Sequence, residues 1–392
     1  MVLAAASAAV MSVGSAGCAG CAPVEAIPPS RSSAQATASA PAAMPAISAS
    51  AAMLVAPASA PVASGSAAPG AKEGGAREVR ALKLPGAGPD GVVMDYLACD
   101  RATGRVWVPA GGTGSVDVIE AGSEAVKHID GFPTAEVTRS GKKRVQGPSS
   151  VTIGESAVYV GSRADGSVCV IDPKTLARGA CVKLSTPPDG LVYVAATKEV
   201  WATTPRETSI TILDASSATA LQAKGSIKLP GDPEGYAVDE GRGIFYTNLE
   251  DKDRTLVIDV RARKVISTWS PKCGDEGPRG LALDKRANWL FVACTDHVMT
   301  MDAGHDGKVL GQLATGAGVD NLDYLESRGE LYVGAAKAGE MTVAKVEGSG
   351  ALSVLTKVKT AEGARNAVVD GSGNAYLTDA RGGQILVVSA GR

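Results

Sequence analysis

Along most of the chain, short apolar runs alternate with Gly-, Asn- and charge-rich breaks, and helical periodicity is almost absent. An apolar–aromatic–small triplet recurs seven times: Val106-Trp107-Val108, Val158-Tyr159-Val160, Val200-Trp201-Ala202, Phe245-Tyr246-Thr247, Leu290-Phe291-Val292, Leu331-Tyr332-Val333 and Ala375-Tyr376-Leu377. Its aromatics lie 52, 42, 45, 45, 41 and 44 residues apart. Each triplet sits in a run of about five residues bounded by turn formers, which reads as a short strand. A second run follows each time, as at Val168 to Ile171 and Ile210 to Leu213. About a dozen residues before each aromatic, a turn opens a further strand: Pro89-Asp90-Gly91, Gly147-Pro148-Ser149, Pro188-Asp189-Gly190, Pro233-Glu234-Gly235, Pro278-Arg279-Gly280, Val319-Asp320-Asn321 and Ala364-Arg365-Asn366. One more run, such as Cys181 to Leu184 or Ser226 to Leu229, completes a unit of ~40–45 residues, the size of a propeller blade.

The pattern therefore predicts an all-β chain whose residues 77–392 form a single seven-bladed β-propeller of four-stranded blades. Its closure is legible too. The seventh unit ends on its third strand, Gln384 to Ser389, with no fourth strand after it. The missing strand stands at the other end of the domain, where Leu82-Lys83-Leu84-Pro85-Gly86 parallels Ile227-Lys228-Leu229-Pro230-Gly231. The amino-terminal strand is expected to join the last blade and remove an exposed sheet edge.

The pattern changes before residue 77. Val2 to Gly17 are small and apolar and end in Ser15-Ala16-Gly17-Cys18, the makeup of an export signal over residues 1–20. Small residues directly before a cysteine resemble a bacterial lipobox, which implies acylation at Cys18. Two features depart from that pattern: no Lys or Arg precedes the apolar stretch, and Ser15 stands where Leu is usual. Cys18 and Cys21 could instead be a CxxC redox or metal pair, although no second ligand pair is near. Residues 21–76 are mostly Ala, Ser, Pro and Gly, with too little to bury to offset the entropy of ordering, so a flexible tether is expected. The protein is thus expected to be exported, as a periplasmic, outer-membrane or cell-surface lipoprotein, touching a membrane only through that amino-terminal segment.

The apolar-Asp ending of several third strands (Val170-Ile171-Asp172, Ile212-Leu213-Asp214, Val257-Ile258-Asp259), taken with the aromatic triplets, resembles the YVTN-type propeller repeats of bacterial surface and periplasmic proteins. The resemblance spans roughly Arg77 to Arg392, and no blade spells the motif in full. It implies a binding or scaffold role and no common reaction. More distantly, the architecture is similar to the SMP-30/gluconolactonase propellers, which implies a calcium ion in the channel and a lactonase-like hydrolase as the alternative.

Net charge is −2, from 39 basic and 41 acidic residues, so no broad attraction to nucleic acid or an anionic surface is expected. The basic cluster Arg139, Lys142, Lys143 and Arg144 lacks interleaved aromatics and reads as a solvated or partner-docking loop between blades. First strands line a propeller's channel, so the turns before them gather Asp90, Ser149, Asp189, Glu234, Arg279, Asp320 and Arg365 around one rim, with Asn321 and Asn366 beside them. Such a funnel could take a polar ligand, a protein partner or a hard cation such as calcium. Channel mouths also tolerate charge without a ligand, and the two arginines can simply neutralise the acids. No other cofactor is expected, and the chain is expected to be monomeric.

His297, after Thr295-Asp296, is placed in a loop on the funnel face, as the one histidine of interest as a general base. GxSxG, HExxH and CxxCH are all absent, and Gly86-Ala87-Gly88-Pro89-Asp90-Gly91 precedes a strand, so it cannot serve as a helix-capped phosphate loop. The acids closing third strands (Glu120, Asp172, Asp214, Asp259, Asp302, Glu347) and opening the turns after first strands (Asp100, Asp239, Asp284, Asp370) read as turn-bonding residues. Cys169 and Cys181 suit a cross-strand disulfide and Cys273 and Cys294 a second, leaving Cys99 as a buried thiol.

Overall fold

The computed structural model describes residues 77–139 and 141–391. The signal-like segment, the tether and Cys18 lie outside the described residues. Within them stand seven four-stranded antiparallel sheets and one two-stranded hairpin. The sheets are the predicted blades, and they pack in sequence around a ring. Blade 2 is representative, with strands at Pro148–Ile153, Val158–Ser162, Ser167–Ile171 and Arg178–Lys183 running from channel to periphery. Blade 7 is assembled from both ends of the domain. Arg365–Val369, Ala375–Asp379 and Gln384–Val388 are completed by Val79–Lys83, which pairs in register from Val79 opposite Val388 to Lys83 opposite Gln384. No helix among the described residues is long and apolar enough to cross a membrane.

The aromatic triplets explain why the blades adhere. Each triplet lies on a second strand, and its aromatic turns toward the next blade. Trp107 of blade 1 packs with Val151, Val158 and Val160 of blade 2. Trp201 of blade 3 meets Phe245 of blade 4 with ring centroids 5.0 Å apart. Phe291 of blade 5 meets Tyr324 of blade 6 at 4.9 Å. Tyr376 of blade 7 closes the circle among Val92, Met94 and Val106 beside blade 1. All seven aromatics are at most 2% exposed. The core is thus a set of inter-blade clusters, one at each interface, and the aromatic period is the spacing of those interfaces.

Outer strands carry the opposite pattern; Arg178–Lys183 is exposed along nearly all its length. The turn acids do what their positions predict. Asp172 accepts from the backbone N–H of Lys174 and Thr175, Asp100 from Ala102 and Thr103, and Asp284 from Arg286 and Ala287. Glu120 and Glu347 depart from this role, the first pairing with Arg105 and Lys127 and the second accepting from the Ser353 hydroxyl. Both disulfides form, Cys169–Cys181 across the third and outer strands of blade 2 and Cys273–Cys294 at the entry to blade 5. Two such bonds belong to an oxidising environment. Cys99 is half-buried rather than buried, because its strand borders a cavity.

The stretch between blades 1 and 2 holds the one strand pair outside the blades among the described residues. Ala135–Arg139 and Lys142–Gln146 form a hairpin rather than an irregular loop, with Ala135 opposite Gln146 and Arg139 opposite Lys142. Lys143, Arg144 and Val145 are exposed on it.

Candidate functional site

Five of the expected rim residues, Asp189, Glu234, Arg279, Asp320 and Arg365, converge on a cavity of about 570 Å³ at the mouth of the channel. Four residues not singled out from the sequence join them: Asp95, Arg163, Arg206 and Glu250. Val137, Thr138 and Gln146 bring the extra hairpin to the edge of the same cavity.

Asp90 is not part of it. It is exposed in the turn that carries the chain from the closing strand to blade 1, where the Gly88 and Gly91 backbones bridge. The Pro-Asp-Gly spelling imitates the turns of blades 3 and 4 but lies seventeen residues before Trp107, whereas the interval in blades 3 to 6 is twelve. Twelve residues before Trp107 is Asp95, and that residue is 7% exposed at the channel. Its place was therefore readable from the repeat interval, which the local spelling obscured. Arg163 follows the second strand of blade 2 and belongs to a different turn family, for which the repeat offered no signal.

The remaining candidates separate. Ser149 is buried, and its carbonyl accepts from the Tyr96 N–H at 3.0 Å. Asn366 lies behind the cavity, 2% exposed, with its Nδ2 donating to Asp95 Oδ1 at 2.7 Å. Its φ of 55° suits an Asn, one of the few residues that adopt the left-handed region readily. Asn321 faces a second cavity, of about 240 Å³, with Cys99, Arg101 and Asp323. His297 corrects the loop assignment: it opens the third strand of blade 5, and it does not line the funnel cavity. Its partner is Asp296, 2.6 Å from Nδ1, and its surroundings are the Cys273–Cys294 bond.

Ion pairs knit the cavity wall. Arg163 bridges Asp95, at 2.7 Å, and Asp189. Arg365 bridges Asp320, at 2.6 Å, and Asp95, at 3.7 Å. Arg279 pairs with Glu250. Glu234 has no arginine; its carboxyl accepts from the Tyr96 hydroxyl, which itself accepts from the Gly235 N–H at 3.2 Å. Gly235 has φ of 64°, and a Cβ there would stand 2.6 Å from the Arg279 carbonyl oxygen, so this turn requires glycine.

These partners set the protonation states. Burial pushes the Asp95 carboxyl up, but the charges of Arg163 and Arg365, with hydrogen bonds from Arg163 and Asn366, more than offset it and leave it below the ordinary Asp value. Burial raises Asp189 and Asp320 despite their arginines. For Glu234 burial is reinforced by Asp189, Asp320 and Asp95, and its carboxyl is held well above the ordinary Glu value. The wall has five carboxyls and four arginines. Glu234, the most strongly raised of them, is the one acid of the wall without a guanidinium partner among the described residues.

Tyr96 and Tyr236 stack with centroids 5.6 Å apart. Both line the smaller cavity, while their chain neighbours Asp95 and Glu234 line the larger one. The tyrosine pair therefore stands between the two. In the smaller cavity, burial pushes the Cys99 thiol up to about 12, which leaves it a poor nucleophile.

A calcium ion would need several carboxylate oxygens free and convergent. Among the described residues no three rim carboxylates bring oxygens within 4.8 Å of one another, and Asp95, Asp189 and Asp320 are occupied by guanidinium groups. The donor set as arranged does not fit that ion.

No protein-family model and no curated protein matches the chain. Solved structures with the same architecture include a mitotic checkpoint complex, at 14% identity and TM-score 0.64, covering 86% of this chain and 98% of that one. A streptogramin B lyase matches at 10% identity and TM-score 0.62, covering 80% and 97%. The virginiamycin B lyase from Staphylococcus aureus matches at 11% identity and TM-score 0.61, covering 80% and 99%. At such identities the likeness is one of fold, and what the chain shares with these proteins is the seven-bladed β-propeller.

Proposed function

We propose that the protein is an exported binding module whose ligand is a small polar molecule of low net charge, held in the funnel cavity. The observation that carries this reading is the wall of five carboxyls and four arginines, acid and base interleaved in nearly equal number, around about 570 Å³. That volume lies in the range of small-molecule sites. The pairing leaves two valences unused on residues of the wall. Asp189 Oδ2 is buried without a hydrogen-bond partner, and Arg206 has no acid within ion-pair distance among the described residues. A ligand offering a donor to Asp189 and an acceptor to Arg206 would use both. A zwitterion or a hydroxyl-rich acid has that makeup.

A calcium-dependent hydrolase would need the carboxylates that Arg163 and Arg365 already hold. The test is a thermal-shift and calorimetric screen of amino acids, sugar acids and polyols on the full chain. A binder is expected whose affinity falls about tenfold or more in both Asp189→Asn and Arg206→Ala. Saturable binding indifferent to both changes would place the ligand elsewhere. Capture of a protein that is released by changes on the 135–146 hairpin would favour a scaffold.

Location has separate support. The two disulfides suit export, and the small-residue run before Cys18 suits a lipid anchor holding the protein to the periplasmic or outer surface of a membrane. The resemblance of its repeats to the YVTN type agrees with such a place. Mass spectrometry of the mature amino terminus, with Cys18→Ser as the comparison, decides the acylation.

A further inference from the structure

A second chemical site stands on blade 5, apart from the funnel. The sulfurs of Cys273 and Cys294 and one imidazole nitrogen of His297 lie within 4.8 Å of one another, the one such trio of metal-ligating atoms among the described residues. Cys294 is fully buried, and His297 is 14% exposed. Two further observations concern the histidine. Its Nδ1 is held by the Asp296 carboxylate at 2.6 Å, and its Nε2 is buried without any partner. A carboxylate on one ring nitrogen and a vacant, desolvated second nitrogen is the arrangement that orients a metal-binding imidazole.

We infer that Cys273, Cys294 and His297 form a redox-gated site for zinc. While the disulfide stands, its sulfurs are spent on each other and the site is closed. A dithiol reductant delivers two electrons and two protons to the bond, leaves as its own disulfide, and yields two thiols. Zinc then displaces both thiol protons and takes two thiolates and His297 Nε2, with a fourth position left to water. Thiolate and imidazole are the donors that ion prefers. Metal and disulfide are mutually exclusive, so each blocks the other from forming.

The site also bears on the funnel wall. Cys273 lies in the connection that leads to Arg279, and Cys294 follows Ala293. The Arg279 N–H donates to the Ala293 carbonyl at 2.8 Å, and Ala293 returns a bond to Gly280 at 2.9 Å. Either cross-link, sulfur–sulfur or sulfur–zinc–sulfur, ties these two segments together.

The experiment uses the full chain carrying Cys18→Ser and Cys21→Ser, which removes the amino-terminal pair, titrated with cobalt(II) as a spectroscopic substitute for zinc. The reduced chain is expected to bind one cobalt with a thiolate-to-metal charge-transfer band, and the oxidised chain none. Cys273→Ser should abolish the band, Cys169→Ser should leave it, and His297→Gln should weaken binding about tenfold or more. His297→Gln leaves the disulfide intact, so an unchanged melt of its oxidised form shows that it folds. Absence of stoichiometric binding by the reduced chain overturns the inference, as does binding that survives Cys273→Ser or ignores His297→Gln.

Discussion

Tyr96 of blade 1 reaches across the channel to the carboxyl of Glu234 on blade 4, three blades away around the ring. Tyr96 is buried and Glu234 partly so, and the contact joins opposite walls of the propeller. Tyr96→Phe would leave the Glu234 carboxyl without that donor. We expect a loss of about 1–3 kcal/mol in chemical denaturation, the cost of an unsatisfied buried group. A double-mutant cycle with Glu234→Gln should show strong coupling; additive effects would mean that the contact does not form in solution.

The same carboxyl predicts a pH dependence. Burial and three acidic neighbours raise the Glu234 pKa in the folded protein. The native state therefore binds its proton more tightly than the unfolded chain does. The stability this contributes is fully present below the ordinary Glu value and is lost as pH rises through the folded one. Glu234→Gln should flatten that decline, with the largest gain relative to wild type on the alkaline side. Melting temperatures of the two proteins across pH 4–9, a span of roughly five units about the relevant titration, would reveal it; parallel curves would show that Glu234 is ionised throughout.

Asp95 and Asp90 offer a direct contrast. Asp95→Ala takes one of two carboxylate partners from each of Arg163 and Arg365 and the acceptor from Asn366, and should cost about 1–3 kcal/mol. Asp90→Ala, in an exposed turn, should leave the melting curve unchanged. The reverse ranking would restore Asp90 to the ring and remove Asp95 from it.

Trp201→Ala opens the interface between blades 3 and 4 and should cost about 3–5 kcal/mol. The loss should be global, seen equally by near-UV and far-UV circular dichroism, because one failed interface opens the ring. Separate transitions would indicate blades that melt one by one.

Deleting Val79–Lys83 from the full chain should lower the melting temperature and promote association, since Gln384–Val388 would then present an unpaired edge. Unchanged stability and a monomeric profile in light scattering would show that the closing strand is dispensable.

Comparison of these residues shows what a sequence of this kind conveys. Blade number, aromatic spacing, ring closure and both disulfides were legible because each depends on periodicity or on strand neighbours. Glu234, Asp189, Asp320 and the rim arginines were legible for the same reason, as one position of the repeat. Asp95 was lost to a Pro-Asp-Gly spelling that serves a different turn. Arg163 and Tyr96 were missed because their partners lie on other blades, and pairing around a ring leaves no mark in local order. His297 read as a loop residue of the funnel face because it follows Thr295-Asp296, whereas it opens a strand beside a disulfide that only three dimensions bring near. The hairpin at 135–146 read as a basic loop because its strands are short and polar, with no buried face to impose alternation.

The pairing of Val79 with Val388 sets an order of events in the life of the chain. The strand made first has its partner made last, some three hundred residues later. During synthesis, six blades can form while the seventh waits, its first and last strands at opposite ends of a growing ring. Until Gln384–Val388 arrives, the outer face of the nascent propeller carries an open seam, and any helper protein that guards it must let go only after the final strand has emerged. The propeller is therefore finished in a single late step, and a ribosome that stops a dozen residues short makes a ring that cannot latch.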